Sequence, residues 1–492
     1  MSQVFKQSVV LPISAQECFD WHERPGAFER LCPPWDPVHI LHKDPHIRDD
    51  ARVVLKVKAL PGIQVQLEAR HKNYQHGVSF EDYQVKGPFA EWVHTHHMQD
   101  HEQEGSKDAQ QSDEAQMSNE AEDSSIISPP NQCTLTDHIQ YSLPLGALGQ
   151  WGGGNMVRQR LNQLFHYRHQ VMLHDVQLHA LAQGRTLTIA VSGARGLIGN
   201  ALCALLTTGG HQVIRLVRRL TGAPDERLWE TPDQVPDLSD VDAVVHLAGE
   251  NVAQRWSKAA KDRIMQSRVT RTQALAQALA TYAQNNPSCK TKTFIVASGI
   301  GYYGHSSEQV FDESAPLGEG FLASVCQAWE NASMSAQQAG IRVVTMRIGI
   351  VLSPTGGALA KLLLPFKAGI GGPVADGQQW MSWISLHDVV GALYFALLQD
   401  EVVGVVNAVA PHAVRNKEFS QVLAKVIQRP CLFPVPAFVL KMLYGEMAKE
   451  TVLTSQHVVP KQLQKLGYPF MHENLENSLR FLLGKEILNM MN

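Results

Sequence analysis

The chain has 492 residues, enough for two or three domains at the usual ~100–200 residues each. Hydrophobic residues make up 44%, charged residues 18%, and the formal net charge is −4. This balance supports buried cores and excludes a chain that is disordered throughout or attracted as a whole to nucleic acid. The sequence has no apolar run of the ~18 residues that span a membrane, no pattern of a secretory signal and no C-x-x-C among its seven cysteines. We therefore expect a cytoplasmic protein with free thiols, no membrane span and no nucleic-acid partner.

The first part of the chain, up to about residue 183, alternates like a β-sheet. Strands are predicted at 53–60, 63–70, 79–87 and 134–144, with Pro61-Gly62 as the turn between the first two. Helical patterns cover 13–25, where Ser14 is the expected N-cap, and 156–183. Together these elements predict a curved antiparallel sheet wrapped around a long helix.

Residues 100–130 interrupt that pattern, because they are acidic, rich in Ser and Gln, and nearly free of large apolar side chains. Such a segment cannot bury enough apolar surface to offset its chain entropy. We predict a mobile insert between two strands. A solvated loop is the favoured interpretation, and an acidic binding arm is the alternative.

From Thr186 the pattern changes to strands and helices in alternation. TLTIAVSG is a continuous apolar run, as in a strand buried on both faces of a parallel sheet. Further strand-like segments, separated by helical patterns, occur at 211–219, 242–249, 292–299 and 341–353. This alternation predicts a doubly wound α/β sheet of the Rossmann type.

Three glycines follow the first of these strands in the spacing G-x-x-G-x-x-G, within the segment Gly193, Ala194, Arg195, Gly196, Leu197, Ile198 and Gly199. In a strand–turn–helix context the first glycine allows the tight turn, the second lets backbone approach a pyrophosphate, and the third lets helix and strand pack closely. The helix N-terminus then offers free N–H groups to phosphates. We predict a dinucleotide site here; the alternative is a glycine turn with a packing role only.

The end of the second strand indicates which dinucleotide binds. Binders of the unphosphorylated cofactor place an acid there, whereas this chain has Arg218 and Arg219. Guanidinium groups suit a 2′-phosphate, and Arg195 is placed to add a third. NADP(H) is therefore the predicted cofactor; a solvated strand end is the alternative for the arginines.

The motifs GARGLIG, HLAGE at 246–250, SR at 267–268, ASGIGYYG at 297–304, WE at 329–330 and SWISLHDVV at 382–390 resemble, in this order, atypical extended short-chain dehydrogenases/reductases of the nucleoside-diphosphate-sugar epimerase-like group. The resemblance covers about 186–485 and implies an NADP(H)-binding domain with a small C-terminal substrate lobe, mostly after 355. It also implies that Leu247, Ala248, Gly249, Glu250 and Arg268 line the cofactor.

The first 183 residues resemble the START-like (SRPBCC, polyketide cyclase-like) helix-grip domains. The resemblance is carried by RPGAFERLCPPW at 24–35, FEDYQVKGPFAEWVHTH at 80–96 and LTDHIQYSLPLG at 135–146. It implies an α+β domain that binds a small, hydrophobic ligand. Phe89, Trp92, Tyr141 and Trp35 are the candidates to line its cavity, with plain core packing as the favoured alternative.

The Tyr-x-x-x-Lys pair of the superfamily is missing, because none of the ten tyrosines has Lys four residues later. Counting back from Glu330 places Leu322 and Cys326 at those positions. Ser298 matches the serine that the superfamily retains. Tyr303 and Tyr302 are the nearest replacement acids, followed by His387 and Asp388, although an aromatic wall and a helix cap are the alternatives for these two pairs.

The sequence leaves two function classes open. The first is an NADP(H)-dependent oxidoreductase or epimerase-like enzyme that acts on a small ligand through an atypical site. The second is a non-catalytic NADP(H) sensor or ligand-binding regulator, which the missing Tyr/Lys pair favours. His94 and His96 are spaced to share one face of a strand, which could suit a metal, but the 22 histidines are spread widely and no HExxH motif or acidic triad accompanies them, so we predict no metal site.

Overall fold

The structure is a computed structural model that describes residues 2–60, 63–101, 132–144, 146–286 and 290–485. The chain divides into two compact units. The first contains residues 1–24 and 38–177, and the second contains residues 25–37 and 178–492. Most of the predicted insert and the Pro61-Gly62 turn lie outside the described residues. Within the described part, no helix is both long and apolar enough to cross a membrane.

The elements up to residue 180 are mostly strands. In chain order they are β1 (Gln3–Leu11), α1 (Ala15–Glu23), α2 (Ala27–Leu31), β2 (His39–Lys43), β3 (Arg52–Leu60), β4 (Ile63–Gln75), β5 (Ser79–Lys86), β6 (Glu91–Asp100), β7 (Cys133–Ser142) and α3 (Gly146–Ala180).

The first unit is built on one antiparallel sheet with the strand order β1-β7-β6-β5-β4-β3-β2 among the described residues. Strand β7 alternates buried and less buried residues, as expected of a strand with one face on a core. That core includes Phe5 and Ile139 from the sheet and Leu161 and Phe165 from α3. The antiparallel sheet and its long helix are confirmed as predicted.

Helix α1 begins as predicted at a Ser14 N-cap. The Ser14 side chain accepts a hydrogen bond from the Glu17 N–H, and the Glu17 carboxylate accepts one from the Ser14 N–H. This capping box satisfies two donors that the helix itself leaves unpaired. Helix α3, in contrast, begins ten residues before the predicted start. Its first turns carry exposed side chains such as Trp151, 92% exposed, so no apolar periodicity marks them in the sequence.

The elements of the second unit alternate between strands and helices. They continue with β8 (Thr188–Ser192), α4 (Leu197–Thr208), β9 (Gln212–Val217), β10 (Glu226–Leu228), β11 (Ala243–His246), α5 (Lys258–Asn285), β12 (Thr293–Gly299), a 3-10 turn (Ile300–Tyr303), β13 (Val310–Phe311), α6 (Phe321–Asn331), α7 (Met334–Gln338), β14 (Arg342–Ile348), β15 (Ile350–Ser353), α8 (Gly357–Lys367), β16 (Trp380–Met381), β17 (Trp383–Ser385), α9 (Leu386–Leu398), β18 (Gly404–Ala408), β19 (Val414–Arg415), α10 (Asn416–Ile427), α11 (Ala437–Tyr444), α12 (Glu446–Glu450), β20 (His457–Val458), α13 (Lys461–Lys465) and α14 (Leu475–Leu482).

The second unit has a parallel sheet with the order β10-β9-β8-β11-β12-β14-β18 in the part of the chain that is described. Its central strands β8, β11 and β12 are buried along most of their length, which confirms the doubly wound α/β prediction. One prediction at 341–353 was wrong in detail, because the segment forms two strands separated by Gly349. A Cβ at Gly349 would lie 2.6 Å from the Ser382 carbonyl oxygen, so the close approach of that backbone requires glycine.

Candidate functional site

The glycine loop (residues 193–199) joins the end of β8 to the start of α4. Gly193 has φ +71°, a left-handed conformation that favours glycine, and Gly196 is the N-cap of α4. A Cβ at Gly199 would lie 2.3 Å from the Gly193 carbonyl oxygen, and one at Gly193 would lie 2.9 Å from the Ala248 nitrogen. Two of the three glycines therefore have the mechanical roles that their spacing predicts.

The glycine loop lies where the strand order reverses. Strand β8 pairs with β9 on one side and with β11 on the other, and all three run parallel. Crevices that bind ligands in such sheets lie at the carboxyl ends of the strands at this reversal. Leu247 follows β11, and its N–H donates to the Ser192 carbonyl at 3.1 Å, which places the 247–250 segment beside the glycine loop.

Arg195 reaches from the glycine loop to the end of β9. Its guanidinium donates to the Arg219 carbonyl oxygen at 3.1 Å and forms an ion pair with Glu226. Hydrogen bonds from Thr221 and Arg195 lower the pKa of Glu226 to about 2. Sequence reasoning missed Glu226, because it lies on the short strand β10, well away from the motif. Because Arg195 already pairs with Glu226, it is not the third free guanidinium for a 2′-phosphate that the sequence had indicated.

Arg218 and Arg219 lie at the exposed end of β9, and in the described structure neither guanidinium forms an ion pair. Arg268 lies behind the 247–250 segment, where a Cβ at Gly249 would be 3.0 Å from its Cζ. The Arg268 guanidinium also lies 5.0 Å from the centre of the Trp329 ring, and burial lowers its pKa. Among the described residues it has no carboxylate as ion-pair partner. Three of the predicted cofactor residues, Arg218, Arg219 and Arg268, thus place guanidinium groups without a carboxylate ion-pair partner among the described residues at one edge of the sheet.

Ser298, near the end of β12, belongs to a buried hydrogen-bond network. Its hydroxyl donates to Glu330 Oε1 at 2.8 Å. Arg347 holds both oxygens of the same carboxylate, at 2.9 Å from Nε and 2.8 Å from Nη2. The side chains of Arg347 and Glu330 are 3% and 13% exposed, so this is a largely buried, bidentate ion pair. In the sequence Glu330 stands out only as part of the motif WE at 329–330, and no motif points to Arg347.

The two candidate tyrosines have different surroundings. Tyr303 is 2% exposed; its hydroxyl donates to Asn407 Oδ1 at 2.7 Å and accepts from Arg347 Nη1 at 3.0 Å. Burial raises the pKa of Tyr303 to about 12. Tyr302 is half-buried, and the Arg347 guanidinium lies 3.3 Å from its ring centre. Its hydroxyl has no hydrogen-bond partner in the described regions, so of the two it is the one free to meet a ligand.

Comparison with known proteins fits this geometry. The sequence pattern of the NAD-dependent epimerase/dehydratase family matches residues 189–408, and a domain of unknown function matches residues 435–482. An epimerase family protein of Mycobacterium tuberculosis is 40% identical over 297 residues, which are 60% of this chain and 96% of the relative. The chain belongs to the NAD-dependent epimerase/dehydratase family.

Two solved structures extend the comparison. The human epimerase family protein SDR39U1, solved with NADPH, shares 32% identity with a TM-score of 0.55 and covers 60% of this chain and 99% of its own. A nucleoside-diphosphate sugar epimerase from Corynebacterium glutamicum shares 29% identity with a TM-score of 0.75, covering 98% of this chain and 90% of its own. The second match therefore includes the antiparallel unit as well as the parallel one.

In this epimerase-family chain the positions of the missing Tyr/Lys pair face the 3-10 turn after β12. A Cβ at Gly301 would lie 3.1 Å from Leu322 Cβ and 3.8 Å from Cys326 Sγ. Burial raises the pKa of the Cys326 thiol, which also contacts Ser298. An aliphatic group and a neutral thiol therefore stand where the usual acid pair would be.

Asp388 has a structural role in the epimerase-family unit, and its neighbour His387 is buried. Ser385, not Asp388, is the N-cap of α9, which corrects the predicted cap. The Asp388 carboxylate is fully buried and accepts from the Ser385 hydroxyl at 2.6 Å and from the Met471 N–H at 2.7 Å. With its oxygens so occupied, Asp388 joins the start of α9 to the C-terminal segment and is not placed to transfer a proton.

Three of the four predicted cavity residues pack together. The rings of Phe89 and Trp92 lie 4.8 Å apart, and Phe89 and Tyr141 lie 5.9 Å apart in an edge contact. These three pack onto the core of the first unit, which supports the packing alternative. Trp35 belongs to the second unit, where a Cβ at Gly484 would lie 2.5 Å from its ring. Its grouping with the other three aromatic residues stays a prediction.

Proposed function

We propose that this protein is an NADP(H)-dependent oxidoreductase or epimerase-like enzyme that acts on a small ligand at the carboxyl edge of the parallel sheet. The observation that carries the proposal is the glycine loop at the strand reversal, with the guanidinium groups of Arg218, Arg219 and Arg268 around it. Helix α4 directs its N-terminus at the same place, where a pyrophosphate gains both N–H donors and a favourable dipole.

The residues present fit a dinucleotide. Residues 193–199 would hold the pyrophosphate, residues 247–250 would lie along the cofactor, and Arg268 would add a positive charge from behind Gly249. Arg218 and Arg219 would bind the 2′-phosphate, since exposed guanidinium groups without acidic partners pair well with phosphate oxygens. The NADPH in the human SDR39U1 structure supports the phosphorylated cofactor. The nicotinamide supplies hydride transfer when it is bound.

On the substrate side, we assign the proton to Tyr302. Its free hydroxyl would donate to a ligand oxygen, and the Arg347 guanidinium 3.3 Å from its ring centre would stabilise the phenolate that forms. Ser298 would hold the same oxygen after releasing Glu330. Tyr303 would position Arg347, because its own hydroxyl is bound to Asn407 and Arg347.

Cofactor choice is tested by titrating the full chain with NADPH and with NADH in a calorimeter. The Arg218→Ala and Arg219→Ala double variant should lose about 1–3 kcal/mol of NADPH affinity, with little change for NADH. Arg480→Ala, which removes a guanidinium paired with Glu476, is the matched control and should bind both as before. Equal losses for both cofactors would exclude the 2′-phosphate role.

The enzyme and sensor functions are distinguished by following NADPH oxidation in the presence of a panel of carbonyl compounds and nucleotide sugars. Turnover that disappears in Tyr302→Phe and Ser298→Ala while NADPH binding remains supports the enzyme. Tight NADPH binding without turnover on any substrate supports the sensor, which the replacement of the acid pair by Leu322 and Cys326 favours.

We also propose that the first unit is a START-like domain that takes up the small, hydrophobic ligand. Its strand order, in which β1 pairs with β7 and the other strands follow in sequence, and its long closing helix support that class. The ligand would reach the second unit for reaction. A ligand that copurifies with the full chain, identified by mass spectrometry, would test the proposal; its loss on deletion of residues 2–24 would agree with it.

A further inference from the structure

Three neighbouring strands of the first unit place charged and imidazole side chains on one face of the sheet. Asp82 on β5 pairs with His94 on β6, and His96 on β6 pairs with Asp137 on β7. Residues two apart on a strand share a face, and residues directly opposite on adjacent strands share it too. The four side chains therefore converge although they come from three separate segments of the sequence.

The distances among three of these side chains match a metal-ion site. His94 Nδ1 lies 3.0 Å from Asp82 Oδ2, and His96 Nε2 lies 3.7 Å from the same oxygen. One ligand atom from each residue falls within 4.8 Å of the other two. Ligands about 2.0–2.2 Å from a tetrahedral Zn²⁺ stand about 3.3–3.5 Å apart, so the observed separations bracket that value.

Asp137 supplies a second, independent indication. Histidines that bind metals with one nitrogen commonly direct the other at a carboxylate, which fixes the ring. His94 Nε2 lies 2.9 Å from Asp137 Oδ1, and His96 Nδ1 lies 3.0 Å from the same oxygen, although off the line of a hydrogen bond. Asp137 is held in turn by His169 Nε2 at 2.8 Å. Both rings thus turn one nitrogen to Asp137 and the other to Asp82.

The surroundings suit a bound ion with an open position. The Phe80 ring stacks on His96 at 4.3 Å, and the Phe165 ring meets His94 edge-on at 5.4 Å, which gives the imidazoles an apolar shell. The side chain of Asp82 is 24% exposed, so solvent or a ligand reaches the cluster from its side. His71 lies across the next strand pair from Asp82 and contributes a further imidazole to the same region.

We propose that Asp82, His94 and His96 bind a divalent transition-metal ion, with Zn²⁺ as the ion to test. Two imidazole nitrogens and one carboxylate oxygen are a donor set that Zn²⁺ and Fe²⁺ both accept, and it leaves positions for water or a ligand oxygen. The sequence predicts no metal, because no HExxH motif or acidic triad accompanies the histidines. Asp82 lies twelve positions before His94 and joins it only through strand pairing.

The test uses the full chain, freed of metal with a chelator, equilibrated with Zn²⁺, dialysed, and analysed by elemental mass spectrometry. We expect about one Zn²⁺ per chain, and a visible absorption band when Co²⁺ replaces it. Asp82→Asn and His96→Gln should weaken binding by at least about tenfold, and Asp137→Asn by about 10–100-fold.

His97→Gln is the matched control, because His97 is exposed on the opposite face of the same strand, and it should keep full occupancy. Wild-type chain that retains no Zn²⁺ would overturn the proposal. The proposal would also be overturned if the Asp82→Asn and His96→Gln variants retained Zn²⁺ while circular dichroism showed that both variants are folded. Should those variants unfold, the Co²⁺ spectrum of the wild type decides: a spectrum unchanged from that of the hydrated ion rejects the site.

Discussion

Glu330→Gln removes one charge from the most buried ion pair of the proposed active site. The substitution keeps the shape of the side chain and one acceptor oxygen, but it leaves the Arg347 guanidinium, 3% exposed, without its counter-ion. Breaking a buried pair in this way costs about 3–5 kcal/mol, because the remaining charge stays out of water. Since the amide oxygen still accepts one hydrogen bond, we expect the lower end of that range, about 3 kcal/mol.

The loss is measured by urea unfolding of Glu330→Gln against wild type, followed by circular dichroism. In a thermal scan, a unit of this size loses about 2 °C or more for each kcal/mol, so the midpoint should fall by about 6 °C or more. The double variant Glu330→Leu with Arg347→Leu removes both charges and should recover part of the stability. A Glu330→Gln chain within about 1 kcal/mol of wild type would refute the reasoning.

Three further outcomes follow from the described contacts. Gly199→Ala should abolish NADPH binding in a titration, because its Cβ would lie 2.3 Å from the Gly193 carbonyl oxygen; unchanged binding would show that the loop moves freely. Ser14→Ala should lower the free energy of unfolding of the first unit by about 1 kcal/mol through loss of its cap, read by urea titration, and no change would contradict the cap. Burial lowers the pKa of His246 to about 3, so the unfolded state binds the extra proton below pH ~6.5, and stability falls as pH falls. Between pH 7 and 5 this group costs about 2 kcal/mol, which His246→Gln should remove; an equal pH dependence in both chains would exclude it.

The sequence predicted well where one periodicity governs a segment. Strands β8 and β12 have apolar residues on both faces, which indicates a strand covered on both sides. Strand β7 alternates, which indicates a strand with one face on a core. The glycine loop was predictable because its spacing follows from backbone geometry alone. The early start of α3 was not, because the glycines and the exposed Trp151 near its start leave no apolar stripe in the sequence.

Side-chain partners that meet only through the fold escaped prediction. Glu226 reaches Arg195 from a three-residue strand, and Arg347 reaches Glu330 from another strand. Nothing in the local sequence around either residue specifies that pairing, since it depends on strand register and helix placement. The contact between Asp82 and His94 could not be predicted for the same reason, because the two residues are neighbours only through the pairing of β5 with β6.

Residues 25–37 belong to the second unit although sequence on both sides of them belongs to the first. Within the second unit a Cβ at Gly26 would lie 2.5 Å from Thr207 Oγ1, so this excursion is fitted tightly against α4. The backbone consequently passes between the units three times, at 24/25, 37/38 and 177/178. A single cut at 177/178 would therefore leave residues 25–37 of the second unit on the fragment that carries the first, and no single cut yields the second unit complete.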